Sequence, residues 1–325
     1  MVRMLGAMIG ALLAGTYLGE PATAMDWPKQ TLTMVVPFAA GGGTDVMGRI
    51  MARRMSEILG QPVIVENVPG GGGRVGFTRV IRAAPDGYTF VFGGRSDAIA
   101  MTLYKRPPYS LRDDAEPIAL VGYQPTILVG RKDLPVDGLQ NFIAYLKQNA
   151  ATIKMGAAGL GATGSIDCAI FNSMIGVNVP PIPYRGSGPA MQDLITGQFD
   201  HFCTISGSAV APLQSGLVKG IAVFDRERMA SLPNLPTANE QGFNFEASSW
   251  WGFFAPKGTP REIIKKLSEA SVAAMETPEV QNQLAKNGIY VVPPEQRSAE
   301  YFRSFLGPEI EKNGAPLKSA GVSID

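Results

Sequence analysis

Residues 154–171 read KMGAAGLGATGSIDCAIF: a strand-like run, a glycine-rich loop, then a helix-like stretch. Strand, glycine turn and helix in that order form the building unit of an open α/β sheet. Gly159, Gly161 and Gly164 carry the spacing G-x-G-x-x-G of a dinucleotide loop. Such a loop lets backbone N–H groups approach an anion at a helix N-terminus, where a partial positive charge favours it. A dinucleotide also requires an acid about twenty residues on, at the end of the next strand, to hold a ribose. That region, 178–186, reads NVPPIPYRG and has none. A second match, 71–76 (GGGRVG), fails in the same way, because Asp86 precedes the following strand instead of ending it. The loop calls for an anion, and the nucleotide reading falls.

The same unit recurs on both sides of this stretch. Upstream, the pattern predicts strand 31–36, helix 44–59, strand 63–67, a short helix ending near 84 and strand 88–92. A long extended segment, 118–131, interrupts the rhythm. A second round follows: helix 141–148, strand 152–157, helix 164–175, strand 181–184, helix 187–196, strand 199–205, helix 209–215 and strand 219–224. Extended chain at 248–255 and helices at 260–286 and 298–312 complete the series. Two rounds of alternation joined by extended segments predict two α/β lobes with a cleft between them. Every glycine-rich loop falls at the C-terminal end of a strand, where open α/β sheets bind ligands.

With 325 residues, 45% apolar and 18% charged, the chain has material for two domains. Its 29 basic and 28 acidic residues are scattered and give a net charge of +1, which offers no basic face for nucleic acid. At the N-terminus, Arg3, an apolar run to Leu18 and Ala22-Thr23-Ala24 have the order of a secretory signal peptide, 1–24. Export to the periplasm distances the chain from cytosolic nucleotides and permits disulfides. Cys168 and Cys203 leave two readings open, one bridge or two buried thiols. One histidine and two cysteines supply no metal centre, and no cofactor is implied.

A secreted serine hydrolase is the competing class. Gly94-Arg95-Ser96-Asp97-Ala98 approximates a nucleophile elbow, and His201 follows with Asp133, Asp137, Asp167, Asp193 or Asp200 as intermediates. Against it, His201 sits in GQFDHFC, the sequence of an internal strand well before the chain end.

The segments PFAAGGGTDVMGR (37–49), VENVPGGGGRVG (65–76), YRGSGPAMQDLITGQFD (184–200), LPNLPTANEQG (232–242) and WWGFFAPKGTP (250–260) together resemble one family. It is that of the periplasmic solute-binding proteins of tripartite tricarboxylate transporters, the Bug or TctC-like family. The resemblance runs through the whole mature chain in order. It implies a type II periplasmic-binding-protein fold, with two α/β lobes joined by extended hinge segments. The lobes would be 25–124, 125–226 and a return to the first over 227–325. It also implies a monomer that closes on a small organic carboxylate and delivers it to membrane subunits.

Matched onto this sequence, the resemblance places Phe38, Ala39, Gly42, Gly43, Thr44 and Asp45 in the ligand loop of the first lobe. Asp45 has a second reading, as the cap of helix 46–59. The second lobe would offer Ala158, Gly159, Gly161, Ala162, Thr163 and Ser165. It would add Tyr184 and Gly186 from the family's Y-[KR]-G loop, and Ser206 and Gly207 after the strand of His201. Trp250 and Trp251 are expected to pack at the hinge, with stacking of one of them on a ligand as the second reading. One departure stands out at 93–97, where the family has small hydroxyl residues and this chain reads GGRSD. Arg95, beside Ser96, could pair with a second carboxylate and so favour a dicarboxylate. Asp97 would either neutralise Arg95 or hold an amino group.

Overall fold

A computed structural model describes residues 26–319. The expected signal peptide lies outside the described residues. Strand–helix units open the chain: β1 (Leu32–Val36), α1 (Gly43–Leu59), β2 (Val63–Asn67), α2 (Arg74–Ile81), β3 (Thr89–Gly94) and α3 (Arg95–Leu103). The 17-residue strand β4 (Ala115–Arg131) follows. Next come α4 (Gly138–Asn149), β5 (Met155–Ala157), α5 (Thr163–Met174), β6 (Pro181–Pro183), α6 (Ser187–Ile195), β7 (His201–Ile205), α7 (Ser206–Gln214) and β8 (Val218–Val223). The chain returns through β9 (Ser248–Pro256), α8 (Arg261–Glu276), α9 (Pro278–Lys286), β10 (Tyr290–Val291) and α10 (Ala299–Ser319).

The pairing separates into two halves with one pattern. The first has the order β2-β1-β3-β9-β4, and the second β6-β5-β7-β4-β8. In each, three parallel strands are followed by an antiparallel one. The two halves share β4. Its residues 115–125 pair with β9, and Thr126–Arg131 pair with β7 and β8. Beside the changeover, Ser248 of β9 pairs with Pro125, and the Thr126 N–H donates to the Ala247 carbonyl at 2.9 Å. Two extended segments therefore cross between the lobes side by side.

Apolar runs such as LTMVV, buried on both faces, suit central parallel strands. Phe90, Phe92 and Phe253 fill one lobe, and Phe142, Phe171 and Phe224 the other. In the second lobe Cys168 of α5 is disulfide-bonded to Cys203 of β7, with both residues buried. That settles the choice between a bridge and free thiols, and pins two loop-bearing elements together.

Two local readings change. Residues 95–103, to which the sequence pattern assigns no element, form α3, whose start is fastened by Asp97 accepting from the Gly94 N–H at 2.8 Å. Residues 260–286 form two helices, because Pro278 lacks an N–H and so begins α9 after Thr277.

Candidate functional site in the interlobe cleft

A parallel strand followed by a helix leaves its turn, and the helix N-terminus, at one edge of the sheet. The two lobes set these edges face to face. The Gly43 N–H donates to Ser208 Oγ across the cleft at 2.7 Å, and the Ala39 N–H to the Arg185 carbonyl at 3.2 Å. Thr163 Oγ1 and Ser249 Oγ lie 3.2 Å apart. Glycines make the fit possible. A Cβ on Gly188 would stand 2.4 Å from the Ala40 carbonyl oxygen, and one on Gly72 2.5 Å from the Gly161 Cα. No ordinary side chain fits at either contact.

Inside this seam is a cavity of about 30 Å³. Phe38, Thr44 and Trp251 line it from the first lobe, and Ala158, Ala162, Thr163, Ser187 and Thr204 from the second. None of its lining side chains is charged. Helices α1, α5, α6 and α7 begin beside it after Gly42, Ala162, Gly186 and Ile205, and none of these gives a side-chain cap. Ser208 Oγ accepts from the Gly43 N–H of α1 and Gln124 Oε1 from the Gly207 N–H of α7, so the first-turn N–H groups of α5 and α6 are the ones that need acceptors from elsewhere. Two side-chain groups share that need. Thr204 Oγ1 and Trp251 Nε1 belong to residues 1% and 2% exposed, and neither has a hydrogen-bond partner. A buried donor without an acceptor costs about 1–3 kcal/mol. Neutral donors and positive helix ends around an uncharged space make a receptor for an oxyanion.

The structure brings Phe38, Thr44, Ala158, Ala162 and Thr163 into the cavity wall. Gly42, Gly43 and Ala39 stand in the seam, with the Gly43 and Ala39 N–H groups already bonded across it. Gly159 and Tyr184 border a larger outer cavity, and Gly161 abuts Gly72. Ser165, in the first turn of α5, has a buried hydroxyl with no partner. Gly186 precedes α6, and the Gly207 N–H is bound by Gln124 Oε1 at 3.0 Å.

Four residues are placed elsewhere. Ser206 turns away and donates to the Gly288 carbonyl at 2.6 Å. Asp45 accepts from the Gly41 N–H, Arg49 and Asn67, which braces the loop. Burial alone would raise its pKa, but those hydrogen bonds outweigh burial and hold the carboxyl below its usual range. Arg95 reaches across the hinge to Asp167 at 2.7 Å, and to Asn313 and the Ser248 carbonyl, instead of into the cavity. Asp97 binds the Gly94 N–H and the Tyr109 hydroxyl, so it neither neutralises Arg95 nor faces a ligand.

Ser96 and His201 are not brought together. Ser96 lies in α3 of the first lobe. His201 opens β7, at the strand end away from the cleft, with its ring edge-on to Phe142. Burial lowers its pKa to about 4, and neither ring nitrogen has a partner. It is a core residue.

Sequence reasoning missed Ser187, Ser208, Thr204 and Gln124. Ser187 and Ser208, whose hydroxyls lie 2.7 Å apart, each stand one residue past a loop position that was picked out.

Two lobes of repeated sheet order, hinged by two strands and meeting over a charge-free donor pocket, define a type II periplasmic binding protein. The chain belongs to the tripartite tricarboxylate transporter family receptors, whose family model matches residues 47–322. It is similar to the solved periplasmic binding protein BugD, with 36% identity and a TM-score of 0.89 over 91% of this chain and 99% of that one. It is also similar to MatC of Rhodopseudomonas palustris, solved with bound malate, at 35% identity and TM-score 0.86 over 90% and 100% of the two chains. The R. palustris protein Rpa4515, solved with adipate, gives 30% identity and TM-score 0.86 over 92% and 99%.

Proposed function

We propose that this protein captures a small organic carboxylate, most readily a dicarboxylate, between its lobes and delivers it as a monomer to the membrane subunits of a tripartite transporter. The observation that carries the reading is the pairing of two orphaned buried donors, Thr204 Oγ1 and Trp251 Nε1, with the starts of α5 and α6, which no side chain caps, around one small cavity. A carboxylate satisfies such donors, and buried neutral donors bind an anion without an opposing charge. Malate and adipate in the two R. palustris relatives support the same class of ligand. Because the loops of both lobes touch the ligand, it favours the closed arrangement about the β4 and β9 crossings. Export through residues 1–24 would place the protein where such a solute arrives.

Thermal-shift screening of the mature chain against mono-, di- and tricarboxylates tests this, since a ligand of the folded state raises the melting midpoint. Stabilisation by dicarboxylates is expected. A screen in which carboxylates do nothing, or only nucleotides act, would overturn it. The enzyme alternative predicts ester turnover lost on Ser96→Ala, whereas this account expects no turnover in either protein.

A further inference from the structure

The small cavity, about 30 Å³, falls far below the roughly 300–1,000 Å³ of a whole-ligand pocket, so it suits one acid group of a solute. Phe38 and Ala158 line it and also line a second cavity of about 310 Å³ toward the cleft mouth. That second cavity is the adjoining space for the remainder of a larger solute. Its walls are the 70–74 turn of the first lobe with Tyr104, and 158–160 with Pro183–Arg185 of the second. Two arginines line it, Arg74 and Arg185, and no acid does. Asp193, the acid near its wall, is held by the Tyr184 hydroxyl at 2.7 Å.

Arg74 is fixed in place. Its guanidinium lies 3.6 Å from the centroid of the Tyr104 ring, and its Nε donates to the Gly71 carbonyl at 3.0 Å. Its two terminal nitrogens have no hydrogen-bond partner among the described residues. Arg185 is exposed, and its side chain makes neither a hydrogen bond nor an ion pair among them. Its carbonyl, meanwhile, is fastened to Ala39 of the opposite lobe, which carries the residue to the mouth whenever the lobes meet. Two guanidinium groups, one from each lobe, thus flank the exit from a carboxylate-sized pocket.

We infer that this outer cavity is the subsite for a second carboxylate of the solute, read by Arg74 and Arg185. The inference rests on the carboxylate reading above and deepens it: the preferred solute is a dianion whose far acid lies between the two arginines. This is the role that Arg95 cannot fill, being committed to Asp167.

The test is calorimetric titration of wild type, Arg74→Gln, Arg185→Gln and the double variant with straight-chain α,ω-diacids of four to eight carbons. Each diacid is paired with its monomethyl ester. Wild type should prefer the best diacid over its ester, and the double variant should lose roughly tenfold to a hundredfold for the diacid alone. Without ligand, the melting midpoint of Arg185→Gln should match wild type, and those of the two variants that lack Arg74 should fall slightly with its Tyr104 and Gly71 contacts. The subsite is overturned, with the carboxylate reading intact, if wild type binds diacid and ester equally, or if the variants weaken both alike or neither. Binding of neither by wild type would overturn both inferences.

Discussion

Gly188→Ala isolates the closure of the lobes from their folding. Gly188 lies in the first turn of α6, with a backbone angle open to any residue, so alanine suits the helix and gains up to about 1 kcal/mol there. The added Cβ, however, would stand 2.4 Å from the Ala40 carbonyl oxygen of the opposite lobe. An ordinary C···O contact is about 3.3 Å, so the seam must open by roughly 1 Å. Backbone stands on that side, so no rotamer change relieves the contact. The cross-cleft bonds from Gly43 to Ser208 and from Ala39 to Arg185 now measure 2.7 and 3.2 Å. Both would pass the reach of a hydrogen bond. At about 1 kcal/mol each, the loss is about 2 kcal/mol, or roughly thirtyfold in Kd. Calorimetric titration with the best carboxylate from the screen reads it, alongside the melting midpoint without ligand. A midpoint equal to wild type or slightly raised, with weakened binding, is expected. A Kd within twofold of wild type would show that binding does not use this closed seam.

Arg95→Ala leaves Asp167, 1% exposed, with only Thr126 to bind it at 2.7 Å. Urea titration should show a loss of about 3 kcal/mol, largely recovered when Asp167→Asn is combined with Arg95→Met. Affinities for mono- and dicarboxylates should fall by the same factor, whereas a selective loss for diacids would return Arg95 to the site. His201→Leu addresses pH. Burial takes this imidazole from 6.5 to about 4, so the stability it contributes is full above pH 6.5 and is lost as pH falls toward 4. Relative to wild type, the variant should gain about 3 kcal/mol between pH 7 and 4, and a constant difference would refute the buried neutral ring. The comparison must be differential. Burial raises the Asp97 carboxyl to about 6, and its contribution is full below pH 3.8 and lost as pH rises through 6, which opposes the histidine.

The strand, glycine loop and helix of 154–171 could be read in advance because each piece has a local cause: apolar run, glycine turn, uncapped helix start. The mirrored loop at 37–45 followed from the same cause. What escaped depends on partners distant in the chain. Arg95 invited a ligand role because its partner Asp167 lies on the other lobe, 72 residues on. Helix α3 was hidden because RSDAIAMTL, small and apolar on most sides, shows no stripe. The tryptophans illustrate the period of a strand, in which neighbours face opposite sides. Trp250 packs on Phe302 and Phe305 and donates to Glu309, whereas Trp251 turns to the cleft with its N–H unpartnered. In the stretch SSWWGFFA nothing local tells the two apart. Orphaned donors are likewise invisible to sequence, since being unpartnered belongs to the assembled surroundings.

Thr204→Val tests the central claim most directly, because it replaces an orphaned buried hydroxyl with a methyl of the same shape. If the hydroxyl is there for a carboxylate, the unliganded protein should melt no lower than wild type, since a desolvated, unsatisfied group has been removed. Carboxylate affinity measured by calorimetry on the same sample should fall roughly tenfold to a hundredfold, the worth of one hydrogen bond to a charged group. Undiminished affinity, or a loss of stability without a loss of binding, would contradict it.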